Sequence, residues 1–277
     1  MLTPVRSTRV TSLALVLSAA LLLPGCNQGA RIRAEALAAS QPVTFAASDG
    51  VQLSGRLFGP PDATAGVVLA HMLPADQSSW FDLAQQLASE GYRVLTFDFR
   101  GYCPGGDAGC SKGDKDIPAA WKDVTGAVTE MQSLGVQHLA LVGASMGGTA
   151  SLVAAAQTEA GLVAAVITLS APQSISGLVA GPDVLQGVIG AKLFIAGSED
   201  QVAAGSAQVF YDESAAPKRV QILTTADHGT DLLTGGQGEV AKNLITGWLD
   251  QYVPVGGLPA PPGGTPSGGV SPGAVSP

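Results

Sequence analysis

Histidine and cysteine are scarce in this chain, with three of each among 277 residues. Lysine and arginine number 14 against 22 acidic residues, for a formal net charge of −8. No Lys/Arg cluster occurs anywhere, which excludes a nucleic-acid partner, because binding a phosphate backbone needs concentrated positive charge. The apolar stretch from Leu13 to Leu23 is shorter than the roughly 20 residues of a permanent membrane-spanning helix. Internal repeats are also missing, and nothing in the sequence calls for a cofactor or a metal. With so few histidines, any base in a reaction near neutral pH has very few places to be.

Both ends read as non-globular. Arg6 and Arg9, the apolar stretch and then Leu23-Pro24-Gly25-Cys26 have the layout of an export signal over 1–25. Leu23, Gly25 and Cys26 resemble a bacterial lipobox, which implies a lipidated Cys26 and a protein exported to a cell-membrane surface. Pro24 departs from the small residue usual there, and the alternative is plain secretion. Three cysteines leave one unpaired in an oxidising compartment. With Cys26 acylated, Cys103 and Cys110 remain to form a disulfide across a glycine-rich loop. A zinc site there lacks any nearby histidine or further cysteine. Residues 26–42 are polar and alanine-rich; a short helix fits them, but a tether is the simpler expectation. Residues 253–277 are mostly Gly, Pro, Ser and Ala, a composition that predicts disorder.

The segment 43–252 carries alternating strand and helix patterns. Strands are expected at 43–46, 52–58, 66–70, 93–97, 139–142, 163–169, 192–196 and 219–223. Helices are expected at 80–90, 118–134, after 145, near 183–189, at 203–211 and at 239–252. Gly91 and Gly135 stand where helices should stop. Such alternation predicts an α/β fold, with a mostly parallel twisted sheet of about eight strands and helices on both faces. In these sheets function gathers at the carboxyl ends of the strands.

The strand expected before residue 143 runs into Gly143-Ala144-Ser145-Met146-Gly147-Gly148 and then an Ala/Leu-rich helix. Glycine two places on either side of Ser145 is the pattern of a nucleophile elbow. The plain alternative is a glycine-rich turn with an idle serine. Two later strand ends carry Gly197-Ser198-Glu199-Asp200 and Thr225-Ala226-Asp227-His228-Gly229. Their order, Ser then Asp then His, suits a serine hydrolase, in which His takes the proton of Ser and a carboxylate fixes the imidazole. His138 precedes its strand and belongs at the far edge of the sheet, and His71 sits in another loop, which leaves His228 as the base. Asp200 is the acid, with Glu199 as fallback, since Asp227 and Asp231 are too close to His228 in sequence. Read singly, His228 is a surface-loop histidine and Asp200 a helix N-cap. An oxyanion hole would use the backbone N–H of Met146 and a second from the loop 69–74.

These motifs resemble the α/β-hydrolase superfamily, and within it the compact dienelactone-hydrolase-like and esterase-like members. The resemblance covers 43–252 and rests on Gly143–Gly148, His71, Phe97–Tyr102, Gly197–Asp200 and Asp227–Gly229. It implies Leu73 N–H and Met146 N–H as the oxyanion donors. His71-Met72 replaces the usual His-Gly, so Met72 is expected to narrow the pocket. The nucleophile is serine rather than the cysteine of true dienelactone hydrolases, so their substrate is not implied. Met72, Leu73, Trp80, Met146 and a bordering His71 are candidate wall residues, with core packing the alternative for Trp80. The 22 residues from Ser170 to Ala191 are too few for a cap domain, which predicts an open, shallow site for small acyl groups or the end of a larger molecule. The expected activity is hydrolysis of a small-molecule carboxylic ester through an acyl-enzyme. The rivals are a peptidase or amidase on the same residues, and a lipoprotein that only binds a ligand.

Overall fold

The computed structural model describes residues 28–104 and 109–256. The expected signal segment, Cys26 and most of the glycine/proline-rich tail lie outside the described residues. Strands β1 (Gln41–Ala46), β2 (Gln52–Phe58), β3 (Ala65–Ala70), β4 (Arg93–Phe97), β5 (His138–Ala144) and β6 (Val163–Leu169) build most of one sheet. After them, β7 (Ser174–Ile175) and β8 (Leu178–Val179) form a separate small hairpin, and β9 (Ala191–Gly197) and β10 (Lys218–Leu223) complete the sheet. Its eight strands run in the order β1-β2-β4-β3-β5-β6-β9-β10. Antiparallel pairing is confined to β1–β2 and β2–β4, and every other pair is parallel.

The inner parallel strands are predominantly apolar because both faces are covered, whereas the edge strand β10 is mostly exposed or half-buried. All six residues of β3 are buried. Val68 and Ala70 join one core with residues of α3 (Ala120–Ser133), α4 (Met146–Gln157) and α6 (Gln201–Glu213). Their neighbours Val67 and Leu69 join a second core with α2 (Phe81–Ser89) and α7 (Gly238–Tyr252). This division follows from the two-residue period of a strand, and each buried Val or Leu contributes about 1.5–3 kcal/mol. Helices α2 and α3 stop where glycine allows it. Gly91 and Gly135 have φ of 100° and 91°, and the next N–H in each case returns to Leu87 O or Met131 O at 3.1 Å.

Three local expectations need correction. Residues 28–38 form the short helix that fitted their composition, α1 (Gln28–Ala38), where a tether was the simpler expectation. Ala36 is fully buried in the second core, Arg33 Nη1 donates to Ser78 Oγ at 3.2 Å, and Arg56 Nη2 donates to Leu37 O at 3.1 Å. Those contacts hold a segment whose own apolar pattern is weak. Trp80 is fully buried in the second core and does not border the cavity beside Leu73 and Met146. Between β6 and β9, the hairpin β7–β8 occupies chain expected to be loop, alongside the anticipated short helix α5 (Pro182–Gly187). No large cap covers the strand ends. No helix among the described residues is long and apolar enough to cross a membrane.

Candidate active site

β5 ends at Ala144 and α4 begins at Met146, so Ser145 alone makes the turn between them. Its backbone is left-handed, with φ 48° and ψ −117°, a conformation that costs a non-glycine residue about 1–3 kcal/mol. The turn is held from both sides. Ser145 N–H donates to Leu169 O at 2.8 Å, and Ser145 O accepts from Gly148 and Thr149 N–H at 2.9 and 3.1 Å. A Cβ on Gly143 would run into the carbonyl of Gly147, and one on Gly147 into the carbonyls of Ala70 and His71. Those obstacles are backbone and cannot swing aside, so the two glycines are steric requirements of the elbow.

The neighbouring strand β6 ends in a second serine with the same twist. Ser170 has φ 52°, and its hydroxyl is buried with no partner among the described residues. Nothing in the sequence marked it.

β9 and β10 are adjacent and parallel, with Leu223 opposite Gly197, so the loops that follow them meet. His228 Nδ1 lies 2.6 Å from Asp200 Oδ2. Because that nitrogen faces a carboxylate it carries the proton, which leaves Nε2 with the free lone pair. The other Asp200 oxygen accepts the Ala203 N–H at 3.5 Å at the start of α6, so Asp200 is also the N-cap of that helix. Glu199 is exposed. Asp227 accepts from Thr225 Oγ1 at 2.7 Å within its own loop. His138 opens β5 at the opposite edge of the sheet. The His228 loop lies alongside the elbow: a Cβ on Gly229 would stand 3.5 Å from Ala144 Cβ and against the Met72 sulfur. Ser145 Oγ and His228 are not hydrogen-bonded to each other in this arrangement.

Leu73 and Met146 border one cavity of about 80 Å³. Among the described residues, neither backbone N–H donates to a protein acceptor. Phe99, Tyr102, Ile117 and Ala120 form its apolar walls, and the exposed Lys115 and Asp116 stand at its solvent side. Lys115 Nζ rests 4.1 Å above the Tyr102 ring. Met72 and His71 do not line this cavity.

His71 lies beneath the site, fully buried. Its Nδ1 donates to Met72 O at 2.9 Å and its Nε2 accepts Phe99 N–H at 3.1 Å. The ring therefore ties the loop after β3 to the loop after β4. Burial pulls its pKa down to about 4, so it is neutral at ordinary pH. Asp98 lies 3.9 Å from His71 Nε2 and is bound by Gln77 N–H at 2.9 Å and Gln77 Nε2 at 2.6 Å. Burial outweighs those donors and raises its pKa to about 6. Next along the chain, Arg100 Nε donates to Asp123 Oδ1 at 2.9 Å, while Nη1 and Nη2 reach the two oxygens of Asp49 at 3.0 and 2.8 Å. This clamp behind the cavity went unnoticed in the sequence, where its partners lie 23 and 51 positions away.

Cys103 and Cys110 are joined by a disulfide. Tyr102 and Ser111, the residues flanking it, are themselves paired through Ser111 N–H to Tyr102 O at 3.0 Å. Among the described residues, no group of three or more His, Cys, Asp or Glu is placed to hold a metal ion.

A family model described as the alpha/beta hydrolase fold matches residues 67–194. Among solved structures, an esterase from Pyrococcus furiosus superposes with a TM-score of 0.65 at 16% identity, covering 79% of this chain and 93% of the esterase. A dienelactone hydrolase from Anabaena variabilis superposes with a TM-score of 0.62 at 21% identity, covering 78% and 99%. For the esterase domain of a Rhodothermus marinus protein the values are 0.58 and 21%, with 77% and 99% covered. No curated protein matches the sequence. The protein has the α/β-hydrolase fold.

Proposed function

We propose that the protein is a serine hydrolase of small carboxylic esters, with Ser145 as nucleophile, His228 as base and Asp200 as the acid that orients it. The observation that carries this reading is the 2.6 Å contact between His228 Nδ1 and Asp200 Oδ2, in a loop that lies against Ala144, the residue before a serine held at φ 48°. Ser145 Oγ attacks the ester carbonyl carbon as its proton passes to His228 Nε2. The oxyanion forms at Leu73 and Met146 N–H, donors of a kind that each lower the barrier by about 3–4 kcal/mol. The carbon–alcohol bond breaks, and the alcohol leaves with the proton from His228. Water then attacks acyl-Ser145, again giving its proton to His228, and the acid is released with Ser145 restored. Asp200 stays ionised throughout and stabilises the imidazolium.

A fluorophosphonate probe tests the assignment. Labelling is expected in the wild type and lost in Ser145→Ala and His228→Ala, and an unlabelled wild type overturns it. Faster turnover of peptide anilides than of short esters would reassign the site to amide bonds.

A lipid on Cys26 would anchor the protein to a membrane surface. Metabolic lipid labelling that persists in Cys26→Ser overturns that part.

A further inference from the structure

The cavity beside the elbow has a direction. It begins at Leu73 and Met146 and reaches toward the β4 side, where Phe99 and Arg100 follow β4, Ile117 precedes and Ala120 starts α3, and the exposed Lys115 and Asp116 stand at its solvent side. His228 arrives from the other flank, since its strand β10 lies beyond β6 and β9 in the sheet. A leaving alcohol has to sit beside His228 to receive its proton. With the carbonyl oxygen between the Leu73 and Met146 N–H groups, the alcohol and the acyl chain point to opposite sides of the carbonyl carbon. The acyl chain is the one directed into the cavity.

We propose that this cavity receives the acyl chain of the ester and limits it to about three or four carbons, with Ala120 and Ile117 setting the limit. The proposal rests on the serine-hydrolase reading. An apolar cavity of about 150 Å³ takes the six carbons of benzene, and about 80 Å³ is roughly half of that. The walls have little freedom to retreat. Phe99 is 1% exposed with its N–H held by His71, and the Tyr102 ring is pressed between His71, at a centroid distance of 4.7 Å, and Lys115. Arg100 is fixed by two carboxylates. Ala120 is small and 2% exposed, so any larger side chain there points its extra carbons into the space an acyl chain would use. Ile117 is only half-buried and stands nearer the opening.

The test is a series of p-nitrophenyl esters from acetyl to octanoyl, all sharing one leaving group. kcat/KM is expected to fall about tenfold between butyryl and hexanoyl, since a misfit of a methylene or two in a hydrophobic pocket carries that penalty. Ala120→Leu should lower the butyryl-to-acetyl ratio about tenfold, and Ile117→Ala should raise the hexanoyl-to-butyryl ratio. If Ala120→Leu does not fold, the Ile117 variant decides. Octanoyl turned over as well as butyryl, or ratios unmoved by a folded variant, overturns the proposal. A methyl fluorophosphonate run in parallel separates the two levels. Labelled Ser145 with a flat acyl profile removes the cavity assignment alone, and no labelling with no turnover removes the hydrolase reading and the cavity assignment together.

Discussion

Asp200 divides its two oxygens between His228 and the first turn of α6. Asp200→Asn separates these contributions, because asparagine caps a helix as well as aspartate does but cannot hold the imidazole in the required tautomer with a charge. kcat on a short ester should fall about 10⁴-fold, while the urea midpoint shifts by no more than a few tenths of a kcal/mol in equivalent stability. A comparable loss of stability would make the residue chiefly a cap. Asp200 and His228 are 28 residues apart, yet their pairing was legible in the sequence. The chemistry of an elbow serine demands a base and an acid, and only a few strand-end loops offer them. His71 and Phe99 are also 28 residues apart, and no comparable demand selects them. His71 therefore read as a residue bordering the site, although burial makes it a brace below. The unpartnered hydroxyl of Ser170 was illegible for the same reason.

Three elements meet at Arg100: the end of β4, the first turns of α3 through Asp123, and the β1–β2 turn through Asp49. The two ends of this clamp differ in exposure, with the Asp123 side chain at 0% and the Asp49 side chain at 30%. Arg100→Ala strands a fully buried carboxylate and should cost about 3–5 kcal/mol in urea unfolding. Asp49→Asn acts at the wetter end and should cost about 1 kcal/mol. Equal losses would mean that burial does not govern the clamp. Strands and helices of the sheet were legible because their apolar periods are strong. Helix α1 was legible only as the alternative to a tether, since few of its residues are apolar anchors, Ala36 and Leu37 among them, and Arg56 and Ser78, which also hold it, are not local.

For the molecule as a whole, acid acts on the paired burial of His71 and Asp98. Free histidine titrates at 6.5 and His71 at about 4, so the unfolded chain gains this proton first and stability is withdrawn as pH falls from 6.5 to 4. Asp98 is held at about 6, above its ordinary 3.8, so the folded chain gains that proton first and stability is added as pH falls from 6 to 3.8. Each shift is worth about 3 kcal/mol when complete, and the opposite signs make the contributions of this pair nearly cancel in the wild type. Asp98→Asn removes the offset. Its stability by urea unfolding should drop by up to about 3 kcal/mol between pH 6.5 and 4, and a variant as flat as the wild type refutes the pairing. Helix α1 has a consequence at the same scale. Arg33 meets Ser78 beside the loop that binds Asp98 at the carboxyl end of β4. Gln28 lies five residues farther up the helix from Arg33, about 7 Å, and only Asn27 stands between it and Cys26, a reach of at most about 7 Å. From Gln28 onward the chain is a strut, not a string. A surface that gripped the chain just ahead of Gln28 would keep the carboxyl ends of the strands within a short reach of it, and flexible residues inserted between 26 and 28 would lengthen that reach.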